Sequence, residues 1–571
     1  MAHDAEDGEG GPSMRERRRL RGDGVKGLSL AGRMNLRLSR LAWRSPLHTM
    51  RLSGRYPLQL IDVPADPIPG RIKAGRALAE GHMLAGQERV SLDGLTRPGQ
   101  SAAFQDYRHS FAWLRDLAAA IPRDAGAPLA EAIAKAWLAD HARTVADPAW
   151  RPDLWGRRIL FWTAYAPYLL SSADAEYRKT LLNTLARGAR HLDRAADSVP
   201  QGLPRVAAWC GVVAAGLLIP GGDLRVTHGE TGLARALSQA LHEDGGLATR
   251  VPAMQLDLVE LMAQLRAVYE VRARPLPAPL VATIAKAVAV LLGATLGDGA
   301  LSSWQGGGPA NAAAIAAAVA ATGARPEPLV APRDWGYQRI EAGATRLVMD
   351  AAPPPAGALI RGGCASTLAF ELSEGTERLI VNCGGAPGLP GALAEGLRTT
   401  AAHSTLTLAE TNSTALHADS SLGRGVTEVE LERSEARDGT TLIAAHDGYV
   451  RRHGFHHRRQ LTLSADGRSL SGEDALLPGG RRRGLAATPF VIRFHLAPAL
   501  ETVLTADGHG ALIRPPEGGA WQFRAERGTL SIEPSLWVDA LGRAKPAQAL
   551  TLVDETPPDG VNVGWSFRRV R

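Results

Sequence analysis

Between Gln105 and about Thr322 apolar residues recur at three- and four-residue spacing, as in Phe111, Leu114, Leu117, Ala118 and Ile121. That is the period of helices burying one face. The spacing predicts helices around residues 108–122, 127–145, 156–171, 174–193, 204–218, 229–242, 252–271, 277–294 and 309–322. Short loops between them make antiparallel helical hairpins. At Pro326, Pro328 and Pro332 the pattern breaks, because clustered prolines favour an extended linker. Beyond them the period becomes two: Leu368, Phe370 and Leu372 alternate with Thr367, Ala369 and Glu371, and Leu406–Leu408, Val426–Glu432 and Arg459–Leu463 continue the alternation. Turn residues such as Ala465-Asp466-Gly467-Arg468 separate these runs, the mark of antiparallel strands. The fold class is therefore α+β and multidomain: a helical domain over residues 56–335 and an antiparallel β-sandwich over 336–571. Residues 1–55 read as a basic, flexible tail, in which Leu36–Arg44 can form one or two amphipathic turns.

At 571 residues the chain exceeds what one core fills, and 45% hydrophobic with 22% charged residues is ordinary for a globular protein. The formal charge of +7 suits a polyanionic partner. Three cysteines, Cys210, Cys364 and Cys383, are too few for a disulfide framework; a Cys364–Cys383 bridge between neighbouring strands is one reading and small buried side chains the other. No apolar run is long enough to span a membrane, and the basic stretch Arg15–Arg21 is followed by no apolar segment of a secretory signal. By sequence the location is cytoplasmic. The glycines after Trp304 are followed by no Lys-Ser/Thr and preceded by no strand, so nucleotide binding is unsupported, and no nucleic-acid partner is expected.

Three predicted strand ends carry histidine: His403 in Ala401-Ala402-His403-Ser404, His446 in His446-Asp447-Gly448-Tyr449, and the pair His456-His457. Neutral imidazole is both a common metal ligand and a base near neutrality. With Thr367–Ser373, Arg378–Gly384, Gly472-Glu473-Asp474 and Phe494-His495-Leu496 in this order, the region from Asp350 onward resembles the C-terminal part of the heparinase II/III-like polysaccharide lyases. Asp244-Gly245-Gly246, Arg250-Val251-Pro252 and Gly297-Asp298-Gly299 resemble the helical half of that family.

The resemblance implies that the helices close into an incomplete α/α toroid and that the protein cleaves an acidic, uronate-containing glycan by β-elimination. It implies one structural zinc, with His403, His457 and Asp419 as ligands, and a location in the cell envelope. Elimination needs a base, an acid and a group that stabilises the enolate. Tyr449 and His446 are the base and acid candidates, although Tyr449 is equally an aromatic packed beside a strand turn. Trp304, Arg398 and Asn412 are candidates for binding the sugar. Two departures weigh against cleavage: no Asn-His dipeptide occurs anywhere, and Met254 stands where the family's tyrosine is expected. Arg250 would then neutralise the uronate, its guanidinium gripping a carboxylate at two points. The alternative is a glycan-binding or envelope-assembly protein that keeps the scaffold without the elimination machinery. Nothing in the sequence sets the oligomeric state.

Overall fold

The computed structural model describes residues 14–22, 34, 38, 43, 45–52, 59–356, 359–479 and 487–570. Among the described residues its main helices lie between Ile72 and Thr322, and its main strands run from Tyr337 to Arg569. The expected helix over 252–271 is Pro252–Val271, started by a proline in the first turn, where no backbone donor is needed. The helix expected over 108–122 is instead two, Ala102–Ser110 and Trp113–Ala120. Phe111, at φ 67°, breaks them with a left-handed turn.

The centre of the helical half is Leu203–Leu218, which is apolar nearly all round and almost wholly buried. It crosses Pro152–Ala164 where Gly211 meets Gly156; a Cβ on Gly156 would lie 2.0 Å from the Ala207 carbonyl oxygen, so the helices approach this closely only because both residues lack one. Among the described residues no helix is long and apolar enough to cross a membrane.

Two antiparallel sheets form the sandwich, and their inner faces make a second core separate from that of the helices. One sheet has nine strands, with Glu428–Ala436, Gly439–His446, Phe455–Ser464, Ser469–Pro478 and Val561–Arg569 in adjacent order. The other includes Tyr337–Ala342, Thr345–Asp350, Phe370–Glu374, Glu377–Val381, Thr488–Leu496 and Ala544–Thr556.

The N-terminal segment departs from the flexible tail expected of it. Met14–Arg21 is a strand that pairs along Glu428–Glu435 at the sheet edge. Its arginines alternate, and the exposed ones meet a facing row of glutamates: Arg17 Nε lies 2.8 Å from Glu432, and Arg19 contacts Glu428 and Glu430. The proposed amphipathic turns at Leu36–Arg44 lie largely outside the described residues; a short helix, Pro46–Arg51, follows. The three cysteines are free and buried, so the Cys364–Cys383 bridge does not form.

Two short hairpins bring the halves together. Asp244-Gly245-Gly246 and Gly297-Asp298-Gly299 close bridges between Leu241 and Leu247 and between Thr295 and Leu301. Asp244 accepts hydrogen bonds from the amides of Asp334 and Trp335, and Asp298 pairs with Arg378 of the sandwich. The Gly297-Asp298-Gly299 motif is thus a contact to the sandwich, and Asp244-Gly245-Gly246 a contact to the segment that leads into it.

Candidate functional site

Strict alternation along Phe455–Ser464 turns Phe455, His457, Arg459, Leu461 and Leu463 inward. Two polar side chains therefore enter the core and need partners there. Strand register supplies them: His446 lies opposite His457 and Asp474 opposite Arg459. Arg459 donates from Nε and Nη2 to the two oxygens of Asp474 at 2.8 and 2.9 Å, and Trp565 Nε1 adds a third bond at 2.9 Å. His457 Nε2 lies 2.7 Å from the same carboxylate, so it carries the proton. Its Nδ1 then accepts from His446 Nε2 at 3.3 Å, and His446 Nδ1 accepts from the Gly448 amide at 3.0 Å. This one-way chain engages all four ring nitrogens and leaves neither imidazole a lone pair for a metal.

The expected zinc ligands do not converge. His457 is engaged as described, Asp419 sits in an exposed turn accepting from Ser421, and His403 donates from Nδ1 to the Thr399 carbonyl at 2.8 Å. Among the described residues no three His, Cys, Asp or Glu side chains come together to hold a metal ion. His403 Nε2 makes no hydrogen bond among the described residues, and of His403, His446 and His457 it is the one with an unengaged ring nitrogen.

Tyr449 is 1% exposed inside the sandwich core, and its hydroxyl donates to the Leu406 carbonyl at 2.9 Å. Burial raises its pKa, which opposes forming the phenolate a base would need. Arg250, also buried, donates from Nε to the Trp335 carbonyl at 2.7 Å, from Nη1 to that of Pro353 at 2.6 Å and from Nη2 to Asp350 at 2.5 Å. It clamps helical half to sandwich rather than offering a fork to a uronate. Trp304 is corrected from a cleft residue to a packed one, 1% exposed and stacked on Tyr337. Arg398 holds the carbonyls of Gly363, Ser420 and Ser421, and Asn412 accepts from the Thr400 amide. All nine candidates thus have structural surroundings. Except for the exposed Asp419 and the half-buried Asn412 they are enclosed, which local sequence does not reveal.

The buried histidines set a pH dependence. Burial lowers His403 and His495 to about 4 and His191 to about 3, and it also lowers His446 and His457. Each is neutral in the fold, so below the ordinary value of 6.5 the unfolded chain takes up protons first. The stabilisation from His403, His495 and His191 is complete above that pH and is lost as pH falls toward 4, by about 1.4 kcal/mol per pH unit for each, and His446 and His457 act in the same direction. Glu371 opposes this: burial raises it from 4.5 to about 7, so its contribution falls as pH rises through that window. Burial also lowers His48, His109 and His141 and raises Asp106 and Glu260, so the lowered histidines outnumber the raised carboxylates and the urea midpoint should drop from about pH 6.5 to about 4.5. A flat profile would contradict the burial.

The residues that sequence reasoning missed lie among the helices. A cavity of about 520 Å³ is walled by Ala102–Ser110, Trp113–Ala120, Pro152–Ala164 and Pro252–Val271, with Met254 on its lining. Arg71 pairs with Asp116 at 2.7 Å, Arg115 with Asp66 at 2.8 Å and Glu260 at 3.1 Å, and Arg151 with Asp106 at 2.6 Å. The available signal was charge, Arg115-Asp116 and Arg157, inside segments patterned as buried helix.

A family model described as heparinase II/III-like, C-terminal, matches residues 324–566. FtsZ-localized protein C of Caulobacter vibrioides is 31% identical over 553 residues, spanning 91% of this chain and 92% of that protein. Among solved structures, heparan sulfate lyase HepC from Pedobacter heparinus superposes with a TM-score of 0.60 at 14% identity, covering 94% of this chain and 88% of its own. Heparinase III gives 0.66 at 14% identity, covering 96% and 93%. These likenesses fix the architecture as a helical toroid followed by a β-sandwich.

Proposed function

The chain belongs to the heparinase II/III-like family, and from that premise we propose that it is a catalytically impaired member: a glycan-binding protein of envelope polysaccharide assembly that works where FtsZ assembles. The observation that carries this reading is the engagement of the elimination candidates. Tyr449, His446 and Arg250 are buried and hydrogen-bonded into the fold, and Met254 offers no proton where a tyrosine would. His403 retains an unengaged ring nitrogen, and a base without an acid and an enolate-stabilising group does not complete the reaction. The name of the Caulobacter relative supports the placement at FtsZ, since that relative spans nearly the whole chain. Polysaccharide cleavage is the reading suggested by the lyase structures, and fold alone does not carry it.

The test is to follow the ultraviolet absorbance of an unsaturated uronate while the protein is incubated with a panel of acidic polysaccharides. A flat trace is expected on every member. A rise on any member, whether or not Tyr449→Phe abolishes it, would establish a lyase and overturn the proposal.

A further inference from the structure

We propose that the cavity among the helices is the glycan site and that it takes a neutral saccharide bearing hydroxyl and amide groups, rather than a uronate-rich or sulfated chain. The inference rests on the glycan-binding reading above and adds the place and the ligand class.

Charge is the first argument. Four arginines and five carboxylates line the cavity, so its formal charge is one negative. Each guanidinium already has a carboxylate: Arg71 has Asp116, Arg115 has Asp66 and Glu260, Arg151 has Asp106 and Asp153, and Arg157 has Asp257 at 3.7 Å. An acidic sugar entering here would meet no unneutralised cation, and its own charge would face the surplus carboxylate. Sugar hydroxyls suit the same wall, because a carboxylate paired with one arginine keeps lone pairs to accept them.

An unengaged group is the second argument. Gln264 lines the cavity, is only 7% exposed, and its side-chain amide has no hydrogen-bond partner among the described residues. Its amide faces the space of the cavity, where a ligand amide or hydroxyl can replace water at both its donor and its acceptor. Met254 and Leu154 add apolar atoms to the lining, and the volume lies within the range of small-ligand sites. Met254, where a tyrosine is expected, puts a thioether rather than a hydroxyl at that point of the wall.

The experiment is a calorimetric titration of the full chain with a neutral N-acetylglucosamine oligosaccharide and, separately, a heparan sulfate oligosaccharide of equal length. The neutral probe should bind, with affinity changing less than about twofold between about 50 and about 300 mM salt. Gln264→Leu should weaken it by about tenfold or more. Ala314→Phe, which plugs the cavity from another helix, should do the same, and melting curves verify that both variants fold. Tighter, strongly salt-dependent binding of heparan sulfate would overturn the ligand class. Neutral binding unchanged in both folded variants would overturn the place while leaving the glycan-binding reading intact. Binding of neither probe would overturn that reading and this inference together.

Discussion

Asp474→Ala is expected to unfold the sandwich more readily than any other single change in it. The carboxylate receives Arg459, His457 and Trp565 and is 1% exposed. Without it a buried guanidinium loses its counter-charge, and breaking one side of such a pair costs about 3–5 kcal/mol. Two more donors are orphaned, and the histidine chain to His446 loses the acceptor that fixes its proton positions. Because a domain is stable by only about 5–15 kcal/mol, the loss is a large share of the total. The urea midpoint should fall sharply in Asp474→Ala, and Asp474→Asn should recover little, since an amide presents a donor to a wall of donors. A shift below about 1 kcal/mol would mean that this network is incidental to the fold. The pH behaviour has a definite sign. Arg459 and His457 outweigh the effect of burial and hold the Asp474 pKa well below 3.8, so its stabilisation is present above that value and is lost as pH falls below it.

Arg250→Met should have a comparable effect on a different property, the coupling of the two halves. The variant keeps much of the side-chain volume and removes the bonds to Trp335, Pro353 and Asp350. Asp350 is then buried without its cation, again a penalty of about 3–5 kcal/mol. Since the clamp joins the helical half to the first strands of the sandwich, the calorimetric transition should split in two, the sandwich melting apart from the helices. Arg250→Lys should not restore a single transition, because an ammonium cannot reach a carbonyl at each end and a carboxylate between them. One undivided transition in Arg250→Met would show that the hairpins at Asp244 and Asp298 are sufficient coupling.

Periodicity made the architecture legible because it is local: a helix such as Pro252–Val271 announces itself by its proline start and its apolar spacing, and Phe455–Ser464 by alternation. The break at Phe111 was not legible, since a left-handed turn at a non-glycine residue is held by tertiary packing. The candidate site fared differently. The sequence offered His446, His457 and Tyr449 as a set, and the structure does group them. What it could not offer was their partners, because Asp474 and Leu406 come into reach only through strand register and sheet stacking. An imidazole that will be enclosed looks, in a string of letters, like one that will be accessible. The helical cavity was hidden for the same reason, as Arg71, Asp106, Arg151 and Gln264 lie on separate elements with no shared motif.

The strand Met14–Arg21 has a consequence for how the molecule is made. Its partner, Glu428–Glu435, leaves the ribosome more than four hundred residues later, as the separation of 415 between Arg17 and Glu432 shows. During most of synthesis the first strand is therefore an unpaired, arginine-rich segment, while the helical hairpins can already form from neighbouring sequence. Closing it is among the last acts of assembly. The strand waits for a sheet edge that does not exist when Met14–Arg21 is made.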